Sequence, residues 1–134
     1  MSEAEGIVTR DIIATPAAPA AIGPYSQAVR AGNVVYTSGQ IPLDPATGEL
    51  VAGDIVRQTE QVLNNIKAVL AASGSSFERT IKLTCYLTDL SCFAQVNEVF
   101  NGMLREPFPA RSCVEVSALP RGALVEIEAI ALTG

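Results

Sequence analysis

The sequence predicts a single α+β domain in which two helices pack on one face of a mixed six-stranded sheet. Three observations carry this expectation. Residues 80–87 alternate apolar and polar without a break, the signature of a strand with one face on a core. Two segments, 54–73 and 92–104, carry apolar residues at helical spacing. The elements run strand, hairpin, helix, strand, helix, strand, strand, an order that suits two packed layers. All 134 residues fit one domain of ordinary size.

The first strand is expected over Ile7 to Ile13, ended by Thr15-Pro16 and a small-residue loop from Ala14 to Ala21. Gly23-Pro24 then marks a tight bend with Tyr25 directly after it, placed either to line a pocket or to pack on the core. Gln27 to Arg30 and Val34 to Ser38 form a hairpin across Gly32-Asn33. The second of these strands runs into Ser38-Gly39-Gln40, where a glycine permits close approach of a neighbour or a ligand. Asp44 to Gly48 reads as a surface turn. The long helix spans Asp54 to Ser73. Ile55, Thr59, Val62, Leu63, Ile66 and Leu70 share its inner face, and Arg57, Gln58, Gln61, Asn64 and Lys67 lie largely on the other. Asp54 suits the N-cap and Gly74 the left-handed end.

In the strand Thr80 to Leu87, Ile81, Leu83, Cys85 and Leu87 take one face, so Cys85 reads as a small buried hydrophobe. Asp89 or Ser91 caps the second helix, whose stripe is Phe93, Val96, Val99, Phe100 and Met103. Asn97 sits at the edge of that stripe, facing a pocket or solvent. Ser112 to Val116 is the next strand, with Arg111 at its mouth behind Pro107 and Pro109. In the last strand, Leu124 to Leu132, Val125, Ile127, Ala129 and Ala131 line one face. Leu124, Glu126, Glu128, Ile130 and Leu132 share the other. Apolar groups on that second face want burial, and another subunit is the economical cover. Apolar residues make up 49% of the chain, which points the same way.

Composition removes several kinds of chemistry. The chain has no histidine, so Ser-His-Asp and Cys-His arrangements are excluded, as is a zinc site with His ligands. Cys85, Cys92 and Cys113 lack a Cys-x-x-Cys spacing and read as free thiols of a reducing, cytoplasmic setting. The net charge of −5 and the lack of any basic run disfavour nucleic acid as a partner. No apolar stretch is long enough for a membrane helix, and the acidic residues 1–5 are unlike a secretory signal. No glycine-rich nucleotide cradle is present.

What remains is a small polar pocket in an apolar chain. Glu126 on the second face of the last strand needs a partner if buried, and Arg111 is the nearest candidate if their strands are neighbours. The plain alternative is a loop arginine paired with a nearby acid.

The stretches Ala21-Ile-Gly-Pro-Tyr-Ser-Gln-Ala28, Thr37-Ser-Gly-Gln-Ile41, Val96-Asn97, Pro107-Phe-Pro-Ala-Arg-Ser112 and Val125-Glu-Ile-Glu-Ala129 resemble the reactive intermediate deaminases, the RidA/YjgF family. The resemblance runs from about Thr15 to Gly134. It implies a chorismate-mutase-like fold, a homotrimer with clefts between subunits, and no metal or cofactor. It further implies hydrolysis of 2-aminoacrylate and 2-iminobutanoate, small 2-imino acid substrates, to 2-keto acids and ammonia. Carried over by motif, Arg111 holds the substrate carboxylate, Glu126 works through a water, and Cys113 lines the cleft mainly by its backbone. Tyr25, Ser38 and Asn97 match other cleft positions. The segment Asn101 to Glu106 departs from the bulky aromatics usual in the family, which bears on the outer wall of the cleft.

The residue types suit that chemistry. A planar guanidinium grips a carboxylate with two parallel bonds, and one carboxyl group can relay protons to water and the leaving nitrogen. Glu128, on the same strand face, is an alternative acid. The rival functions are a carboxylate-binding module that needs Arg111 alone, a holdase-type chaperone, and a ribonuclease, which the acidic charge and missing histidine disfavour.

Overall fold

The structure, a computed structural model, describes residues 9–134. Six strands form one sheet: β1 (Arg10–Ile13), β2 (Ala28–Ala31), β3 (Val34–Thr37), β4 (Thr80–Leu87), β5 (Ala110–Glu115) and β6 (Val125–Leu132). Two helices, α1 (Ile55–Ala72) and α2 (Phe93–Met103), cover one face. The strand order is β1-β2-β3-β6-β4-β5. Only β4 and β5 run parallel, with α2 as their crossover; every other pair is antiparallel. The sheet is mixed, as the sequence predicts.

Local chemistry accounts for the elements. The β2–β3 hairpin turns through Gly32 at φ 58°, a left-handed conformation that glycine adopts without steric cost. Asp54 caps α1 by accepting from the Arg57 N–H at 3.1 Å. The other end closes as a Schellman motif. Gly74 stands at φ 79°, its N–H reaches the Ala71 carbonyl at 3.1 Å, and the Ser75 N–H reaches Leu70 at 2.8 Å. The inner face of α1 buries Ile55, Val62, Leu63, Ile66, Val69 and Leu70. Each such side chain contributes roughly 1.5–3 kcal/mol. Ala129 and Ala131 of β6 are buried beneath the helices.

The boundaries differ from expectation in instructive ways. The first strand begins at Arg10, and Ile7 and Val8 lie outside the described residues, as do the acidic residues 1–5. Gln58 is buried rather than outward, because its Oε1 accepts from the Leu124 N–H at 2.9 Å. Asn65 is buried too, donating to the carbonyls of Ile41 at 3.3 Å and Leu43 at 2.9 Å. A polar side chain on the inner face of α1 thus braces the loop that leaves β3. The strand expected over Ser112 to Val116 begins at Ala110, so Arg111 lies inside β5 and not at its mouth.

Among the described residues no helix lies on the second sheet face. Glu126, Glu128 and Ile130 of β6 share it with Lys82, Thr84 and Tyr86 of β4 and Tyr36 of β3, following the registered pairs. Tyr36 and Leu132 are exposed in the single chain. Among the described residues no helix is long and apolar enough to cross a membrane.

Asn65→Ala tests the brace. It leaves the Leu43 carbonyl without its donor, while the Ile41 carbonyl keeps the Leu43 N–H at 2.7 Å; one unpaired acceptor costs about 1–3 kcal/mol when it stays buried. Urea unfolding should show a lower midpoint with an unchanged slope.

Candidate active site

β5 is an edge strand paired only with β4, and the pleat decides which way each of its side chains points. Arg111 pairs with Leu83, which is buried beneath the helices, so the arginine faces the helical layer. There α2 presents Phe93, Asn97 and Phe100, spaced four and three residues apart on one face. Arg111 Nη1 donates to Asn97 Oδ1 at 2.7 Å. Its guanidinium carbon lies 5.0 Å from the Phe93 ring centroid and 5.1 Å from that of Phe100. Both distances fall within cation–π range.

Arg111 opens on a cavity of about 430 Å³, lined also by Asn97, Asn101, Phe108 and Pro109. Among the described residues no carboxylate lies within ion-pair distance of it, so it is not a loop arginine satisfied by a nearby acid. Its remaining donors are available to an anion. Cys113 stands two residues further along the same face, half-buried against the core.

Glu126 belongs to a different place. It pairs with Tyr86 on the uncovered face, and β4 separates its strand from β5. The expectation that Arg111 and Glu126 meet on neighbouring strands is therefore wrong for one chain. Their strands are not neighbours, and the two side chains project from opposite faces.

The surroundings of Glu126 tune it. Gly39 lies against it so closely that a Cβ there would sit 2.0 Å from Glu126 Oε2. The glycine of the Ser38-Gly39-Gln40 turn thus makes room for the carboxyl group. Burial, and then the charge of Glu128, push the Glu126 carboxyl above the ordinary carboxylate range. Glu128 itself accepts a hydrogen bond from the Tyr86 hydroxyl at 2.5 Å. That bond, followed by partial burial, pushes the Tyr86 phenol up to about 12. Of the two acids, Glu128 is committed to a neighbour and Glu126 is poised to hold a proton.

Ser38 lies next to Gly39, but its Oγ donates to the Ser26 carbonyl at 2.5 Å. Tyr25 is exposed, and its hydroxyl accepts from the Ile22 N–H at 3.3 Å. It lines a separate apolar cavity with Ile12, Pro16 and Ala21. The six expected residues thus form two groups: Arg111, Asn97 and Cys113 on the helical side, and Glu126 on the open face with Ser38 and Tyr25 on the loops flanking β2 and β3. Phe93 and Phe100 belong to the apolar stripe of α2, and with Asn97 between them they also form the platform for the arginine. Of the segment Asn101 to Glu106, Asn101 lines the cavity, whereas Leu104 is buried in the core.

Cys85 is fully buried opposite Cys113. Burial first, then the contact with Cys113, hold its thiol well above the usual range, with the Arg111 charge acting the other way. Among the described residues no three His, Cys, Asp or Glu side chains cluster as metal ligands would.

The chain is similar to known proteins over nearly its whole length. The family model for Endoribonuclease L-PSP matches residues 15–133. A RutC family protein of Pyrococcus horikoshii is 56% identical over 122 residues, covering 91% of this chain and 97% of the relative. The 2-iminobutanoate/2-iminopropanoate deaminase of Mus musculus is 46% identical over 127 residues, covering 95% of this chain and 94% of the relative. Among solved structures, E. coli TdcF with bound serine superposes with a TM-score of 0.85 at 46% identity, covering 92% of this chain and 99% of that one.

The tuning of Glu126 is open to titration. Carbon-13 detection of its carboxyl should give a pKa above the ordinary range, moved down but not fully restored by Glu128→Gln, because burial remains. Folded Glu126 holds its proton more tightly than the unfolded chain does. Its ionisation therefore removes stability as pH rises through the folded pKa. Glu126→Gln should melt above the parent protein near neutral pH, and the gain should disappear below about pH 4, near the unperturbed glutamate value.

Proposed function

The chain belongs to the endoribonuclease L-PSP family, the reactive intermediate deaminases also called RidA/YjgF, and from that membership we propose that it hydrolyses 2-imino acids to 2-keto acids and ammonia. One observation carries the reading: Arg111 faces a cavity with a single side-chain hydrogen bond and no acid to neutralise it. Such a guanidinium suits a small carboxylate, and a relative at 46% identity is described with bound serine.

Chemistry then follows from the residues. Arg111 grips the carboxylate of the imino acid, with Asn97 and the rings of Phe93 and Phe100 fixing the fork. The cavity sets the C=N carbon beside the open side of the site. Water adds to that carbon while a carboxylate takes its proton. The same group returns a proton to nitrogen, and ammonia leaves as the carbonyl forms. A 2-aminoacrylate enamine reaches the same route once its methylene carbon is protonated. Glu126 suits the relay, because burial and the charge of Glu128 raise its affinity for a proton above that of an ordinary carboxylate. Cys113 serves by its backbone, and Ser38 and Tyr25 line the approach. No step calls on a cofactor.

Arg111 and Glu126 point to opposite faces, so one chain does not bring them into one cleft. The cleft is built between copies, Arg111 from one and Glu126 from another, in a homotrimer whose contacts cover the open sheet face. Free thiols suit a cytoplasmic setting.

A coupled assay with threonine dehydratase, following 2-oxobutanoate, tests the reading. Truncating one partner of a buried charged contact costs about 2–5 kcal/mol. Arg111→Ala should therefore lose on the order of 30-fold to several thousand-fold in kcat/KM. Glu126→Gln should still bind 2-oxobutanoate by calorimetry, with turnover down roughly 100-fold or more. Glu128→Gln should keep most of the turnover. A Glu126→Gln protein that works at the parental rate, beside an Arg111→Ala protein that no longer binds, would make the site a carboxylate receptor. Sedimentation equilibrium should give three copies, and a micromolar monomer would remove the shared cleft.

A further inference from the structure

Cys85 and Cys113 are directly opposed partners in the parallel β4–β5 ladder. Neighbouring strands lie about 4.7–4.9 Å apart, and disulfides span Cα separations of roughly 4.4–6.8 Å. Both side chains point to the helical face, Cys85 within the core cluster and Cys113 packed against it. Both are free thiols. A bridge also needs the Cβ atoms at about 3.5–4.5 Å, closer than a relaxed ladder sets them. The closure falls to β5, an edge strand held by one neighbour only. Arg111 rides on that strand two residues away, on the same face.

We propose that Cys113 and Cys85 are a peroxide-oxidisable dithiol whose disulfide shifts β5 and disables the Arg111 cavity. Cys113, the less buried of the two, meets the oxidant first. Its sulfur attacks hydrogen peroxide: an S–O bond forms, the O–O bond breaks, and the thiol proton leaves with the second oxygen as water. The Cys85 sulfur then attacks the resulting sulfenic sulfur. An S–S bond forms, the S–O bond breaks, and the oxygen departs as a second water carrying the Cys85 proton. Two thiols and one peroxide give one disulfide and two waters. A dithiol reductant reverses the change.

Cys85 takes no part in the proposed hydrolysis, so Cys85→Val, which keeps a small apolar β-former, is the discriminating variant, with Cys92→Ser as control. Fully reduced full-length protein is treated with hydrogen peroxide, quenched and measured by intact mass and peptide mapping. Parent and Cys92→Ser should lose the mass of two hydrogens and yield a Cys85–Cys113 linked peptide within one chain, reversed by dithiothreitol. Cys85→Val should instead gain oxygen at Cys113, trapped by dimedone. Absence of the linked peptide, oxygen adducts alone in the parent, or a link between chains would overturn the proposal.

The effect on the cavity rests on the carboxylate-binding reading above and is measured separately. Oxidised parent should lose about 10-fold or more in turnover, since misplacing a positioned group by about 1 Å can cost as much as 10²-fold. Cys85→Val should keep its turnover better under the same treatment. A linked protein that works and binds 2-oxobutanoate as well as the reduced form would overturn the control of the cavity. A reduced protein without deaminase activity would sink the deaminase reading while leaving the mass result to decide the dithiol.

Discussion

A β-sheet has two faces, and successive residues of a strand must choose between them. In this chain that rule, combined with the position of β4 between β5 and β6, governs the rest. Arg111 shares the helical face with Leu83, and Glu126 shares the open face with Tyr86. No side-chain rotation brings them together through a layer of paired backbone. The same alternation that buries Val125, Ile127, Ala129 and Ala131 leaves Glu126, Glu128 and Ile130 on the other side. An apolar, acid-bearing face and an arginine with no acid beside it among the described residues thus have one origin.

The absence of histidine makes the electrostatics of the site instructive. The Glu126 carboxyl is raised above the ordinary carboxylate range by burial and by the nearby charge of Glu128, with no imidazole involved. Tyr86 keeps Glu128 occupied, so two carboxyl groups on one strand face differ in kind. Gly39 supplies the space in which the tuned one stands.

Local features were the legible part of the sequence. The cap at Asp54, the stop at Gly74, the alternation of β4 from Lys82 onward and the stripe of α2 each depend on residues within a few positions of one another; Ile81, expected on the core face, is exposed at a register shift between Thr80 and Lys82. Sheet order does not. Nothing near Arg111 or Glu126 in the chain says that β4 lies between their strands, because β6 is inserted between β3 and β4 by contacts far apart in sequence. Asn97 showed the same limit on a smaller scale. Its place at the stripe edge allowed either pocket or solvent, and the arginine that decides the matter comes from another element. Phe93 and Phe100 looked like core because a ring beneath a guanidinium obeys the same spacing as a ring beneath a leucine. Gln58 looked outward because the helical pattern does not reveal a backbone N–H from residue 124 waiting for its oxygen.

The strand that joins the sheet together is also the last strand in chain order. Until β6 arrives, β3 and β4 have bare edges toward each other, and the helices have no central strand to cover. The β1–β2–β3 meander and the β4–α2–β5 unit are two unfinished pieces during synthesis on the ribosome. Long-range closure of this kind is slow, and unpaired edges invite pairing with other chains. The nascent protein therefore has a vulnerable interval that ends only when β6 emerges, and a chain truncated before β6 would present two open templates for aggregation rather than a smaller fold.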